Sequence, residues 1–249
     1  MSTIQTVADT HNPVFSDNKD VVDTWFLMGS PTLIVSIVVT YLYFVLKLGP
    51  QMMATRKPYN LQGLLVAYNF ILVLFSLFLA PFAQGMFDHI ITEGCRPSTR
   101  VKHELSRKVI ELADTVFFVL RKKQKQITFL HVYHHSSLAF FSWCYLKTCR
   151  GQGVVIGFLN SFVHVIMYFY YMVSALGPQY QKYIWWKKYM TGLQLTQFVI
   201  MLAYLVSVTV RDCNLPRHLS ILMGVNVFLF LCLFTNFYVK TYKESKKNK

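Results

Sequence analysis

Seven stretches of this chain are apolar enough to be read as helices crossing a bilayer, and little sequence is left between them. A bilayer core takes about 20 residues of helix; the runs fall at roughly 31–48, 61–85, 104–120, 127–146, 153–176, 189–210 and 219–239. The expected fold class is therefore an all-α integral membrane protein with seven transmembrane helices. It divides into an N-terminal segment (1–30), a membrane domain (31–239) and a basic tail (240–249). Residues 1–30 are polar and acidic with no early apolar core, so no cleaved signal peptide is expected. Ser30-Pro31 reads as a helix opening, Ser as cap and Pro at the first helical position. The third run is the weakest, since it contains Lys108, Glu111 and Asp114.

Charge orients the runs. There are 25 Lys and Arg against 11 Asp and Glu. The basic residues sit in short gaps between apolar runs and form no folded basic surface, which argues against nucleic acid. Fifteen of the 25 basic residues fall on one side: Lys47, Arg56 and Lys57, the 121–125 cluster, Lys182, Lys187 and Lys188, and the tail. The positive-inside rule makes that side cytosolic, with the N-terminus lumenal and the C-terminus cytosolic. The final KKNK resembles a dilysine retrieval signal of endoplasmic-reticulum membrane proteins. Of the five cysteines, Cys95 and Cys213 fall in lumenal loops, where a disulfide persists, so a Cys95–Cys213 bridge is expected.

Polar residues inside membrane helices are costly and mark function by default. His131, His134 and His135 share one helix face, as do Lys108, Glu111 and Asp114. Asn160, His164, Met167 and Tyr171 form a stripe on the fifth run, with Tyr168 and Tyr170 beside it. Thr191, Gln194 and Gln197 form another on the sixth. Counted from the cytosolic ends, these stripes lie about 9–20 Å deep at the rise of an α-helix. Four helices thus converge on one layer, implying a chamber with a cationic mouth.

Three clustered histidines suit a metal site, acid–base work or nucleophilic acyl transfer. Membrane di-iron oxygenases share the HxxHH box, but their pattern needs about eight histidines. Only His131, His134, His135 and His164 lie on the cytosolic side here; His11, His89, His103 and His218 are lumenal. A seven-helix receptor or transporter is the rival from another class. It would usually present its ligand chamber to the outside, whereas this layer faces the cytosol.

Across most of its length the chain resembles the very-long-chain fatty acid elongase family, the condensing enzymes of the endoplasmic reticulum. KVIELADT, QITFLHVYHH, NSFVHVIMYFYY and TGLQLTQF occur in the family's order with similar spacing. Ala113 stands where family members usually have Leu, and the loop before the third run is short. The resemblance implies helices around an acyl tunnel and the condensation of fatty acyl-CoA with malonyl-CoA. It implies catalytic roles for His131, His134, His135, His164, Glu111 and Asp114, with either His134 or His164 in acyl transfer. Substrate contacts are expected from Lys108, Arg121, Gln126, Asn160, Tyr168, Tyr170, Lys187, Gln194 and Gln197. No metal or cofactor is expected, since both thioesters are substrates. Expected partners are membrane lipid, a second copy of the chain, and the reductases and dehydratase of the elongation cycle.

Overall fold

A computed structural model describes residues 22–79, 103–149, 154–210 and 216–244. Cys95, Cys213, most of the N-terminal segment and the KKNK tail lie outside them. Within the described residues the chain is helical at each of the seven expected places, and no strand occurs.

The first helix, α1, runs Pro31–Met53. Ser30 caps it, its hydroxyl accepting from the Thr32 amide at 3.3 Å, and Pro31 occupies the first position. A π-helical turn, Phe44–Leu48, interrupts it. Helix α2 is Gln62–Leu79, α3 is Glu104–Glu111 and α4 is Ala113–Leu120. Leu112 joins α3 to α4, so the weak third run becomes two short helices in series. Helix α5 is Phe129–Cys149, α6 is Val154–Ala175 and α7 is Lys187–Val210. Helix α8, Arg217–Tyr238, continues into a π-helical turn, Val239–Glu244.

Four of these rods are long and apolar enough to cross a membrane by length and composition: Pro31–Met53, Val155–Ala175, Lys187–Val210 and Arg217–Lys243. Helix α2 qualifies only as a shorter apolar helix, Gln62–Phe78. The rods of weaker hydropathy, α3–α4 and α5, carry the charges and the three clustered histidines. The chain is an all-α, multi-pass membrane protein.

Packing places six rods in a ring and the first outside it. Helix α2 pairs with α6, α6 with α7, α7 with α8, α8 with α5, and α5 with α3. Tyr68 of α2 closes the circuit, stacking edge-on with Phe117 of α4 at 5.0 Å and donating to the Ile110 carbonyl at 3.1 Å. Helix α1 packs outside, against α4 and α5. Its inward residues Ile34, Tyr41 and Val45 are apolar apart from the Tyr41 hydroxyl, which bonds Thr115 at 2.7 Å. Having no polar stripe to satisfy, α1 contributes no side chain to the interior chamber. Gly49 allows it to approach: a Cβ there would lie 2.7 Å from Val119 Cγ1.

Candidate active site

The ring encloses a cavity of about 860 Å³. Its rim carries Arg121, Lys123, Lys125 and Lys187, and its inner wall the polar residues of α4 through α7. The turn that sets this rim is a Schellman motif: Lys123 N–H bonds Phe118 O at 2.8 Å and Lys122 N–H bonds Val119 O at 3.0 Å. Lys122 sits in the left-handed region at φ 54° and sends its ammonium away from the cavity, to Ala54 O at 3.1 Å.

His131, His134 and His135 of α5 project to the cavity as their helical spacing requires, with ring centroids 4.4 Å apart for His131–His135 and 5.3 Å for His134–His135. His134 packs edge-on against Phe230 at 5.1 Å and Phe234 at 5.8 Å. Its ring makes no hydrogen bond among the described residues. His131 Nε2 is buried without a hydrogen-bond partner. His135 Nε2 lies 3.9 Å from Asp114 Oδ2, the same oxygen to which the Tyr168 hydroxyl donates at 2.9 Å.

His164 enters from α6 and belongs to a second, denser cluster. Its Nδ1 is 2.9 Å from Glu111 Oε1 and its Nε2 is 3.2 Å from the Asn160 amide nitrogen. Arg107 is wholly buried. It grips Glu104 with two bonds, Nη2–Oε1 at 2.5 Å and Nε–Oε2 at 3.3 Å. It also donates to Glu111 Oε1 at 2.8 Å and to Asn160 Oδ1 at 3.0 Å. Lys108 donates to Glu111 Oε2 at 3.2 Å and to Asn160 Oδ1 as well. Two cations thus face two carboxylates, so the charges within this α3 cluster balance. A buried charge without such a partner would cost several kcal/mol or would neutralise itself.

The structure separates the expected site residues into two layers. His131, His134, His135, His164, Asp114, Asn160, Tyr170, Gln194, Gln197, Arg121, Gln126 and Lys187 line the cavity. Lys108, Glu111 and Tyr168 stand behind its wall, touching the lining residues and not the space. Gln194 and Gln197 turn their amides toward the sulfurs of Met167 and Met201, each at 3.7 Å. Among the described residues no three His, Cys, Asp or Glu side chains are arranged to hold a metal ion.

Arg107 and Glu104 were not among the expected site residues. Their signal was present: Glu104 and Glu111 each stand three and four residues from Arg107 and Lys108, which puts opposite charges together on one helix face. Phe198 and Phe234, which line the cavity beyond the histidines, read in sequence as ordinary packing.

Fold and site together define a class: a helical membrane protein whose ring encloses a wall of imidazole, carboxylate and amide groups behind a cationic rim. The chain belongs to the GNS1/SUR4 (ELO) family, whose profile matches residues 26–249. It is 40% identical over 260 aligned residues to the very long chain fatty acid elongase 1 of Mus musculus, covering 98% of this chain and 93% of that protein. It is 40% identical to the very long chain fatty acid elongase 7 of Rattus norvegicus, covering 91% of this chain and 86% of that protein. The human very long chain fatty acid elongase 4 is likewise 40% identical, over 92% of this chain and 77% of that protein.

Proposed function

We propose that the chain is the condensing enzyme of fatty acid elongation, joining a fatty acyl-CoA to malonyl-CoA to give a 3-oxoacyl-CoA, carbon dioxide and CoA. The observation that carries this reading is the convergence of four imidazoles, Asp114 and Asn160 on one cavity with a rim of Arg121, Lys123, Lys125 and Lys187. The rim suits the phosphates of a CoA thioester, and the wall at Phe198 and Phe234 suits an acyl chain.

His134 is the group best placed to receive the acyl chain, because its ring faces the cavity and is tied by no hydrogen bond. The acyl carbon–sulfur bond breaks as a carbon–nitrogen bond forms, and CoA leaves as a thiol after taking a proton. Malonyl-CoA then loses carbon dioxide. Its α-carbon carries the electron pair to the acyl carbon, and the imidazole leaves. His164, backed by Glu111, moves the proton, as a carboxylate-supported imidazole does in hydrolase triads. The unpaired Nε2 of His131, the Asn160 amide and Gln194 stand near where the thioester oxygen gathers charge. Lipid surrounds the ring as solvent. The basic-residue asymmetry turns the rim to the cytosol and the N-terminus to the lumen, and the terminal KKNK, resembling a dilysine retrieval signal, points to the endoplasmic reticulum membrane.

Expression in elongase-deficient yeast, followed by fatty acid profiling, tests the reading; acids lengthened by two carbons are expected. Microsomes carrying His134→Ala should lose condensation by at least about 100-fold. Undiminished activity in that variant removes His134 from the mechanism.

A further inference from the structure

Arg107 touches no cavity space and has no part in the steps above, yet it is fully buried and its guanidinium bonds Glu104, Glu111 and Asn160 together. Its effect on His164 follows from which atoms can donate. Guanidinium and ammonium groups have no acceptor. Arg107 Nη2, at 3.0 Å, and Lys108 Nζ both converge on one end of the Asn160 amide. That end is therefore the carbonyl oxygen. The other end, an NH₂ that only donates, lies 3.2 Å from His164 Nε2, so Nε2 accepts and carries no proton. The single ring proton then sits on Nδ1, 2.9 Å from Glu111 Oε1. Arg107 Nη1 is 3.0 Å from Nδ1, but both nitrogens are donors. They share Glu111 Oε1 and do not bond each other.

We propose that Arg107 is a positioning residue: by holding the Asn160 carbonyl and Glu111 Oε1 together, and by balancing the buried carboxylates, it keeps His164 neutral, with its proton on Nδ1 and Nε2 bare. Only that form takes a proton at Nε2. The charged and titratable groups around His164 are Arg107, Lys108, Glu104 and Glu111 from α3, and Asp114 from α4 through Tyr168. His134 and His135 face it from α5, and Tyr168 follows on its own helix. Without the guanidinium, one ammonium faces two carboxylates. The group nearest to Glu111 that can take up a proton is His164. A protonated ring has no free nitrogen with which to accept another.

The role of Arg107 in turnover rests on the condensing reading; the tautomer does not, and the experiment keeps them apart. Protein labelled with ¹⁵N-histidine is observed by NMR, with the His164 resonances assigned by their loss in His164→Gln. Wild type should show Nδ1 protonated and Nε2 bare. Arg107→Met, which keeps much of the side chain's bulk, should show both nitrogens protonated. Its kcat should fall on the order of 100-fold, with KM for acyl-CoA unchanged because Arg107 does not line the cavity. Arg107→Lys should restore the bare Nε2 and most of kcat. The double change Glu104→Gln with Arg107→Met, which removes one charge of each sign, should also restore the bare Nε2. A merely structural role predicts no such rescue. A wild-type spectrum with the proton on Nε2 overturns the proposal even if no variant folds, and so does Arg107→Met with the wild-type spectrum and kcat. The stated tautomer in a protein that elongates no thioester would sink the condensing reading alone.

Discussion

Asp114 serves two neighbours with one oxygen: Tyr168 donates to Oδ2 at 2.9 Å and His135 Nε2 stands 3.9 Å from it. Removing the phenol oxygen should loosen this carboxylate without disturbing the ring's packing. Tyr168→Phe is expected to cost about 1 kcal/mol of stability, read as a lowered melting temperature in detergent, and to reduce kcat about tenfold through misplacement of His135, a loss worth about 1.4 kcal/mol. An unchanged kcat would show that Asp114 does not need the tyrosine. Single residues of this kind were largely legible in the sequence. His131, His134 and His135 fall on one face by spacing alone, as do Glu111 and Asp114, and polar groups in apolar runs announce themselves by their cost. Arg107 escaped because it falls outside the Lys108, Glu111 and Asp114 stripe that reads as the polar face of this run. What makes Arg107 informative is a partner on another helix, Asn160, and the periodicity of one helix carries no record of its neighbours.

At the scale of elements, the seven apolar runs became helices close to their expected bounds, with instructive exceptions. Helix α5 runs three residues further than expected, past Lys147 to Cys149. Lys147 is satisfied in place, bonding Asp23 and the Met28 carbonyl from the segment ahead of α1. Long side chains of this type keep an apolar stem in the helix while the charge finds a polar partner. The break at Leu112 had no sequence marker, since neither glycine nor proline is present. The docking of α1 on α4 depends on Gly49, which a sequence reading has no means of distinguishing from other helix glycines. Gly49→Ala should place a methyl within 2.7 Å of Val119 Cγ1 and destabilise the protein by about 1–3 kcal/mol through overpacking. Val119→Ala in the same chain should recover part of the loss, measured as thermal stability in detergent. If Gly49→Ala is neutral, α1 is free to shift outward.

For the whole molecule, the meeting of the polar stripes at one level, around one cavity, was legible and the order of the ring was not. Depth follows from counting residues at a fixed rise along each rod. Neighbour order depends on which apolar faces interlock, and nearly all-apolar rods leave many such choices open. The rim gives the prediction proper to this scale. Reversing charge with Lys187→Glu or Arg121→Glu should raise KM for acyl-CoA several-fold while leaving kcat nearly unchanged. The wild-type KM should rise with salt as the rim charges are screened. A kcat loss at constant KM would place these residues in the chemistry.

The last described turn, Val239–Glu244, also belongs to that rim. Phe237 and Thr241 are part of the cavity wall, Tyr242 reaches to 3.5 Å from Thr191, and Lys188 lies over the Tyr238 ring at 5.8 Å. A group attached within this turn therefore stands beside the rim proposed to admit the thioester. A bulky fusion there is a poor choice for purification, and a small environment-sensitive dye on a cysteine at position 243 is a good one. Its brightness would follow each thioester in and out without touching the histidines.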